Sequence, residues 1–152
     1  IVLAKQLDNV RIYSSDISAG ALSIAEVNVS KFNVEDKVTL LKGNLLSALP
    51  EPPDLIVSNL PYIPSRRIPF LQPEIDWEPT LALDGGEDGL DLIRHLIHVA
   101  RHIETLRDII LEIDCSQAKA LKTIVLGEIP TASIEVIKDL SGLDRVISIH
   151  IG

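Results

Sequence analysis

The sequence predicts a doubly wound α/β sheet, mostly parallel, that closes on an antiparallel hairpin. Three observations carry this. Short strand-like runs alternate with helical patterns along most of the chain, the order that folds into parallel strands joined by crossover helices. The run Asp54-Leu55-Ile56-Val57-Ser58 is apolar enough for a strand buried on both faces. The last two strand-like runs, Ser133 to Ile137 and Arg145 to Ile151, are joined through the turn Asp139-Leu140-Ser141-Gly142, so they are expected to pair as a hairpin.

Each element follows in order. Ile1 to Leu7 is apolar and helix-compatible without a start signal, and reads as the tail of a helix. Val10 to Tyr13 alternates as a strand, with turn signals at Asp8-Asn9 and at Ser14-Ser15-Asp16. Ser18 is the expected N-cap of a helix running to about Phe32, with Leu22, Ala25 and Val29 at helical spacing. Val38 to Leu41 is the second strand and Asp54 to Ser58 the third. Eight of the nine prolines then fall between Pro50 and Pro79. Proline fixes φ and lacks an N–H, so no regular structure is expected around this cluster beyond the third strand. A loop this long inside a compact domain is usually functional or disordered. The pattern resumes with a helix from Leu90 to about Ile103, whose inner side carries Leu92, Ile93, Leu96, Ile97 and Ala100. A strand over Asp108 to Ile113 and a helix over Ser116 to about Leu126 precede the hairpin. Nothing resembling a linker divides residues 1–152, which are read as one domain.

Composition narrows the class. Apolar residues make up 46% and charged residues 24%, ordinary for a globular chain. No apolar run reaches the roughly 18 residues of a membrane span, and no leader pattern is present. Cys115 is the only cysteine, so no internal disulfide forms, which fits a reducing cytoplasm. The net charge of −8 repels nucleic-acid phosphates and argues for a protein or small-molecule substrate. The tight basic pair Arg66-Arg67 reads as exposed loop. The chain contains no Met and starts at Ile1, so it is read as a fragment or a processed chain.

Three places carry chemistry. Asp16 stands between the first strand and the helix that follows. An acid there either accepts hydrogen bonds from ribose hydroxyls or caps the next helix. In dinucleotide-type folds a glycine-rich turn lies about 20 residues before such an acid. Here that spacing runs off the front of the chain, so the first strand and its glycine loop are expected to be missing. Gly43-Asn44-Leu45 follows the second strand at the sheet's carboxyl edge, where ligands bind in open α/β folds. It either borders an adenine or is an ordinary Asn turn. Ser58-Asn59-Leu60-Pro61-Tyr62 follows the third strand. A planar amide or amino nitrogen has a delocalised lone pair and reacts only when held in line with its electrophile. The Asn59 side-chain oxygen and the Leu60 carbonyl can accept its two N–H groups, Pro61 can fix the backbone, and Tyr62 can stack on the planar group. Catalysis of that kind is mostly orientation. The alternative is a strand-ending turn with an incidental tyrosine.

Asn59-Leu60-Pro61-Tyr62 resembles the Asn-Pro-Pro-Tyr signature of amino-methylating enzymes that use S-adenosyl-L-methionine (SAM). Tyr62-Ile63-Pro64-Ser65, Leu71-Gln72-Pro73-Glu74 and the block from Glu78-Pro79 through Leu83-Asp84-Gly85-Gly86-Glu87-Asp88-Gly89-Leu90-Asp91 are similar to one family in particular. That family is the HemK/PrmC protein-(glutamine-N5) methyltransferases. Leu111-Glu112-Ile113, Gln117-Ala118 and Lys138 to Val146 resemble its C-terminal half. The resemblance implies a class I SAM-dependent methyltransferase (Rossmann-like) fold. It implies methyl transfer from SAM to the glutamine of the Gly-Gly-Gln motif in peptide-chain release factors, with S-adenosyl-L-homocysteine as product and no metal. It places Asp16 and Ile17 at the SAM ribose, Asn44 and Leu45 at the adenine, and Asn59 against both cofactor and glutamine. Leu60, Pro61 and Tyr62 complete the glutamine site, and Glu78-Pro79 with the run to Gly89 shape the substrate side.

The chain departs from the family pattern at Leu60, where a proline is usual, at Asn44, where Asp is usual, and at Asp114, where a glycine is usual. Two rival readings follow: a methyltransferase of adenine or guanine amino groups in RNA or DNA, and a catalytically inactive fragment or binding module. A missing central strand would also expose sheet edges and invite self-association. His95, His98 and His102 recur at helical spacing but lack a completing carboxylate or cysteine, and read as a solvated helix face. Cys115 reads as a buried or inert thiol. Trp77 either lines the substrate groove or packs the long loop.

Overall fold

The computed structural model describes residues 1–72 and 77–152. Two compact units are present, Ile1–Glu51 and Pro52–Gly152, and each has its own sheet.

The first unit contains α1 (Val2–Gln6), β1 (Ile12–Asp16), α2 (Ala19–Lys31) and β2 (Val38–Lys42). Ser18 caps α2 as expected, its hydroxyl accepting from the Ala21 amide at 3.2 Å. The helix ends at Phe32, and Asn33 turns the chain out with φ of 51°, a left-handed position that Asn tolerates. β1 and β2 pair in parallel, from Ile12 opposite Val38 to Asp16 opposite Lys42. This register draws Ser14, Ser15 and Asp16 into the strand and leaves Val10 and Arg11 outside it. The sequence places the strand over Val10–Tyr13 because serine and aspartate read as turn formers. Ladder pairing with a neighbouring strand overrides that local preference. Ala4, Val29, Val34 and Val38 form a small core, with Ile12 and Leu40 packed against it.

The second unit contains β3 (Leu55–Ser58), a 3-10 helix (Ser65–Phe70), α3 (Thr80–Leu83), α4 (Asp91–Ala100), β4 (Asp108–Glu112), α5 (Ala118–Glu128), β5 (Ser133–Lys138) and β6 (Asp144–His150). The sheet order is β3-β4-β6-β5. β3 and β4 are parallel, and β6 runs antiparallel to both β4 and β5. The expected hairpin is therefore present, and its second strand lies between the first and β4. One sheet face carries Ile56, Ile109, Leu111, Ile147 and Ile149, all buried and all in register. The inner stripe of α4 is Ile93, Leu96, Ile97 and Ala100, and Leu121 and Val125 of α5 are equally buried. Burying each such large side chain stabilises the unit by about 1.5–3 kcal/mol.

Three expectations are corrected here. β3 is not buried on both faces. Its alternate side chains Leu55 and Val57 remain 42% and 55% exposed, because β3 is the edge of this sheet and only Ile56 points into the core. The proline-rich stretch is not wholly irregular: Ser65–Phe70 forms a 3-10 helix containing Pro69, and Thr80–Leu83 makes one α turn after Pro79. Proline's fixed φ suits a helix start, and short 3-10 segments need few N–H groups. Helix α4 stops at Ala100 rather than near Ile103, and α5 starts at Ala118 rather than Ser116. Among the described residues no helix is long and apolar enough to cross a membrane.

Candidate functional site

In the first unit the two parallel strands bring Asp16 and Gly43-Asn44-Leu45 to one sheet edge. Asp16 is the last residue of β1 rather than a residue past its end, and its carbonyl accepts from the Gly43 amide at 3.1 Å. Its Oδ1 accepts from the Ser18 amide at 2.7 Å, which fixes the carboxylate and leaves Oδ2 available. One carboxylate oxygen of Asp16 thus braces the entry to α2. Ile17, beside it, is 44% exposed. Asn44 is exposed, with its carbonyl bonded to the Ser47 amide and hydroxyl at 3.0 and 2.7 Å. Leu45 takes a left-handed φ of 49°, and the Ser15 hydroxyl donates to its carbonyl at 2.8 Å. A non-glycine residue in that region is held by its surroundings. A carboxylate oxygen beside an exposed amide suits a ribose diol and a polar base edge. These residues fit the nucleoside part of SAM on that ground.

In the second unit Asn59-Leu60-Pro61-Tyr62 leaves the carboxyl end of β3. Asn59 is exposed and Leu60 half-buried, and neither the Asn59 side chain nor the Leu60 carbonyl is hydrogen-bonded among the described residues. The following residues are tied down. Ile63 donates to the Leu83 carbonyl at 3.0 Å and accepts from Gly85 at 2.9 Å, and the Ser65 amide donates to the Gly86 carbonyl at 2.9 Å. The Ser65 hydroxyl and the Gly86 amide both reach Asp84 Oδ1, at 2.6 and 2.9 Å. Two glycines are required by contact with backbone carbonyls. A Cβ on Gly85 would stand 2.7 Å from the Pro61 and Gly89 carbonyl oxygens, and one on Gly89, whose φ is +80°, would collide with the Tyr62 carbonyl.

Tyr62 is half-buried, and its hydroxyl donates to Glu112 Oε1 at 3.1 Å. Burial, and then the Glu112 carboxylate, push its pKa above the ordinary phenol value. Gln117 is 5% exposed and joins both loops, donating from Nε2 to the Tyr62 carbonyl at 2.9 Å and to the Gly89 carbonyl at 3.1 Å.

Asp114 accepts from the Ser116 amide and hydroxyl at 2.9 and 2.5 Å and meets Arg67 at 3.4 Å. Its carboxyl serves as the anchor for the turn into α5, a use that a glycine could not provide. Glu78 and Pro79 are exposed, and Pro79 precedes the single turn α3. Trp77 is 91% exposed. Of the stretch Leu71-Gln72-Pro73-Glu74, the last two residues lie outside the described residues.

Other candidates resolve plainly. Cys115 is exposed, not buried, because the tight turn before α5 carries it outward. Arg66-Arg67 lies in the 3-10 helix rather than in a loop. His98 meets Glu128 at 3.3 Å and stands edge-on to His102. Among the described residues no three His, Cys, Asp or Glu side chains group as metal ligands. Sequence reasoning gives no individual role to Glu112, Gln117 or Asp84. Their only signal is membership in the blocks that carry the family resemblance, since a single buried Gln at a helix start leaves no periodic trace.

No protein-family model matches the sequence. Among curated proteins, the chain is 34% identical to the release factor glutamine methyltransferase of Gloeobacter violaceus, over 97% of this chain and 52% of that protein. It is 38% identical to the protein of the same name in Moorella thermoacetica, over 94% of this chain and 51% of that one. The chain thus spans about half the length of the curated relatives it matches. Among solved structures, the catalytic domain of hMettl16 bound to an RNA hairpin superposes with a TM-score of 0.73 at 14% identity, covering 99% of this chain and 59% of that one. The N-terminal domain of human METTL16 in complex with SAH gives 0.65 at 15% identity, covering 99% and 56%. At such identities the likeness establishes the shared α/β methyltransferase fold and nothing finer.

Proposed function

We propose, on the premise that this chain belongs to the release factor glutamine methyltransferase family, that it contributes to methyl transfer from SAM to a glutamine side-chain amide, that of the Gly-Gly-Gln motif in a peptide-chain release factor. The observation that carries the proposal is the state of the Asn59–Tyr62 turn. The Tyr62 carbonyl is occupied by Gln117, and Ile63 and Ser65 are paired with Leu83, Gly85 and Gly86, while the Asn59 side chain and the Leu60 carbonyl are left unengaged among the described residues.

A primary amide presents two N–H donors in one plane. Asn59 Oδ1 and the Leu60 carbonyl would accept one each, which fixes the plane and leaves the nitrogen lone pair directed along its normal. Each N–H bond also returns electron density to the nitrogen. Tyr62 would bound the amide with its ring, whose hydroxyl Glu112 holds in place. Glu78, Pro79 and the glycine-rich loop would carry the flanking peptide. When bound, SAM supplies a methyl carbon made electrophilic by its sulfonium, so that the N–C bond forms as the S–C bond breaks, S-adenosylhomocysteine leaves and the nitrogen sheds a proton to solvent. Asp16 and Ile17 would hold the ribose, Asn44 and Leu45 would border the adenine, and Asn59 would contact cofactor as well as glutamine. The chain's residues supply position, and orientation alone can account for several powers of ten in rate.

The test is incubation of the protein with SAM and a release factor, followed by mass analysis of the Gly-Gly-Gln peptide. A gain of one methyl on the glutamine supports the reading. Methylation of added RNA or DNA instead, with the peptide unchanged, refutes it in favour of a base amino group. Calorimetry with SAM on wild-type and Asp16→Ala protein tests the cofactor residues, with weaker binding expected for the variant.

A further inference from the structure

We infer that Gln117 is a positioning residue for the transfer: it locks the amide-gripping turn to the glycine-rich loop and sets turnover rather than cofactor affinity. The inference rests on the reading of Asn59–Tyr62 as the glutamine grip.

Gln117 is the buried polar side chain of the described core, 5% exposed. Its Oε1 accepts from the Asp114 amide at 3.0 Å, and its Nε2 donates to the Tyr62 and Gly89 carbonyls at 2.9 and 3.1 Å. These partners fix which end of the amide is nitrogen, because two carbonyls require a donor and a backbone N–H requires an acceptor. The side chain thus has one orientation, with both donors used. The backbone of Gln117 is held as well, donating to the Asp114 carbonyl at 2.9 Å, so the side chain projects from a rigid turn.

Where the two donors go decides the role. The loops are also joined by the Ile63–Leu83, Gly85–Ile63 and Ser65–Gly86 backbone bonds. All of these lie beyond Tyr62, on the side away from Asn59. Gln117 makes the link between the two loops nearest the grip, two residues from the Leu60 carbonyl. Without it the pairing at residues 63–65 still holds the loops together, while the Tyr62 and Gly89 carbonyls lose their common donor and the turn before Ile63 keeps only the Tyr62–Glu112 bond. A leucine or methionine would fill the same space and leave two buried carbonyls unpaired.

The test compares wild type with Gln117→Met and Gln117→Glu, both close in shape, so that a folding defect in one leaves the other to be read. Steady-state methylation should show kcat reduced by about 100-fold, the loss expected when a reacting group is misplaced by an ångström or so, with KM for SAM within about twofold of wild type. Amide hydrogen exchange should rise at Gly89 and Leu90 while Ile63 and Ser65 stay protected. A merely structural glutamine would lower thermal stability and raise exchange at all four amides together, with kcat kept in the folded fraction. That pattern, or unchanged exchange at Gly89 and Leu90, would overturn the inference. Should wild type leave release-factor glutamine unmethylated, the functional reading fails, and the exchange pattern still decides whether Gln117 holds the two loops.

Discussion

The Tyr62 hydroxyl donates to Glu112 Oε1 at 3.1 Å, tying the turn after β3 to the last residue of β4 across parallel neighbours. Partial burial and the adjacent carboxylate both favour the neutral phenol, so Tyr62 ionises above the ordinary value of 10.0. The native state therefore holds this proton more tightly than the unfolded chain. The resulting stability is fully present below pH 10.0 and is lost as pH rises through the raised folded value. Ultraviolet titration of the two tyrosines checks this, since Glu112→Gln should bring the Tyr62 step back down. Tyr62→Phe keeps the ring and removes one hydrogen bond, and should cost about 1 kcal/mol in urea unfolding.

Two glycines in the second unit should respond in opposite directions to alanine. Gly89→Ala places a methyl in a left-handed conformation and against the Tyr62 carbonyl. The conformation alone costs about 1–2 kcal/mol, and the collision adds to it. Gly127 lies in α5 with nothing within 4 Å of its would-be Cβ. Gly127→Ala should stabilise by about 0.5–1 kcal/mol through helix propensity. Denaturant midpoints of the two variants measure both signs.

Acid should weaken the second unit through four carboxylates held below their ordinary value. Asp84 is lowered by the Ser65 hydroxyl and the Gly86 amide, Asp88 chiefly by Arg94, and Asp139 chiefly by the Leu143 amide. Burial raises Asp114, and the Ser116 hydroxyl and amide together with Arg67 outweigh it. A depressed folded pKa means stability present above the unfolded value of 3.8 and lost as pH falls through the lower folded value. Thermal midpoints should therefore fall steeply below about pH 4. Asp139→Asn keeps an acceptor for the turn amides and removes the charge, so its acid limb should be shallower. Parallel profiles for variant and wild type would contradict this.

The edge strand β3 exposes Leu55 and Val57. Apolar edge strands template pairing with other chains. We propose that the chain self-associates through this edge. Sedimentation should show mass rising with concentration, and Val57→Lys should suppress it. Monomer at all concentrations for wild type would dismiss the idea.

The sequence makes legible what rests on periodicity and capping. The stripe Ile93, Leu96, Ile97 and Ala100 and the Ser18 cap sit as expected, because burial at a helix period and an orphan N–H at a helix start leave local marks. The bounds of β1 are not legible in the same way, because Ser14 and Ser15 are strand residues only through pairing with Leu40 and Leu41. Tertiary pairing is not encoded in neighbouring letters. The same holds at the candidate site. Asn59–Tyr62 is visible as a motif, whereas its ties to Glu112 and Gln117 span 50 and 55 residues of sequence. Local patterns cannot report contacts at such separations.

The proposed grip of Asn59 on a glutamine amide is tested most directly by the mass of the Gly-Gly-Gln peptide of a release factor after incubation with SAM and either wild type or Asn59→Ala. Wild type should add one methyl to the glutamine, and the variant should do so at a rate about 100-fold lower or worse, with SAM binding retained in large part. A glutamine left unmodified by wild type, or methylated equally fast by Asn59→Ala, would contradict it.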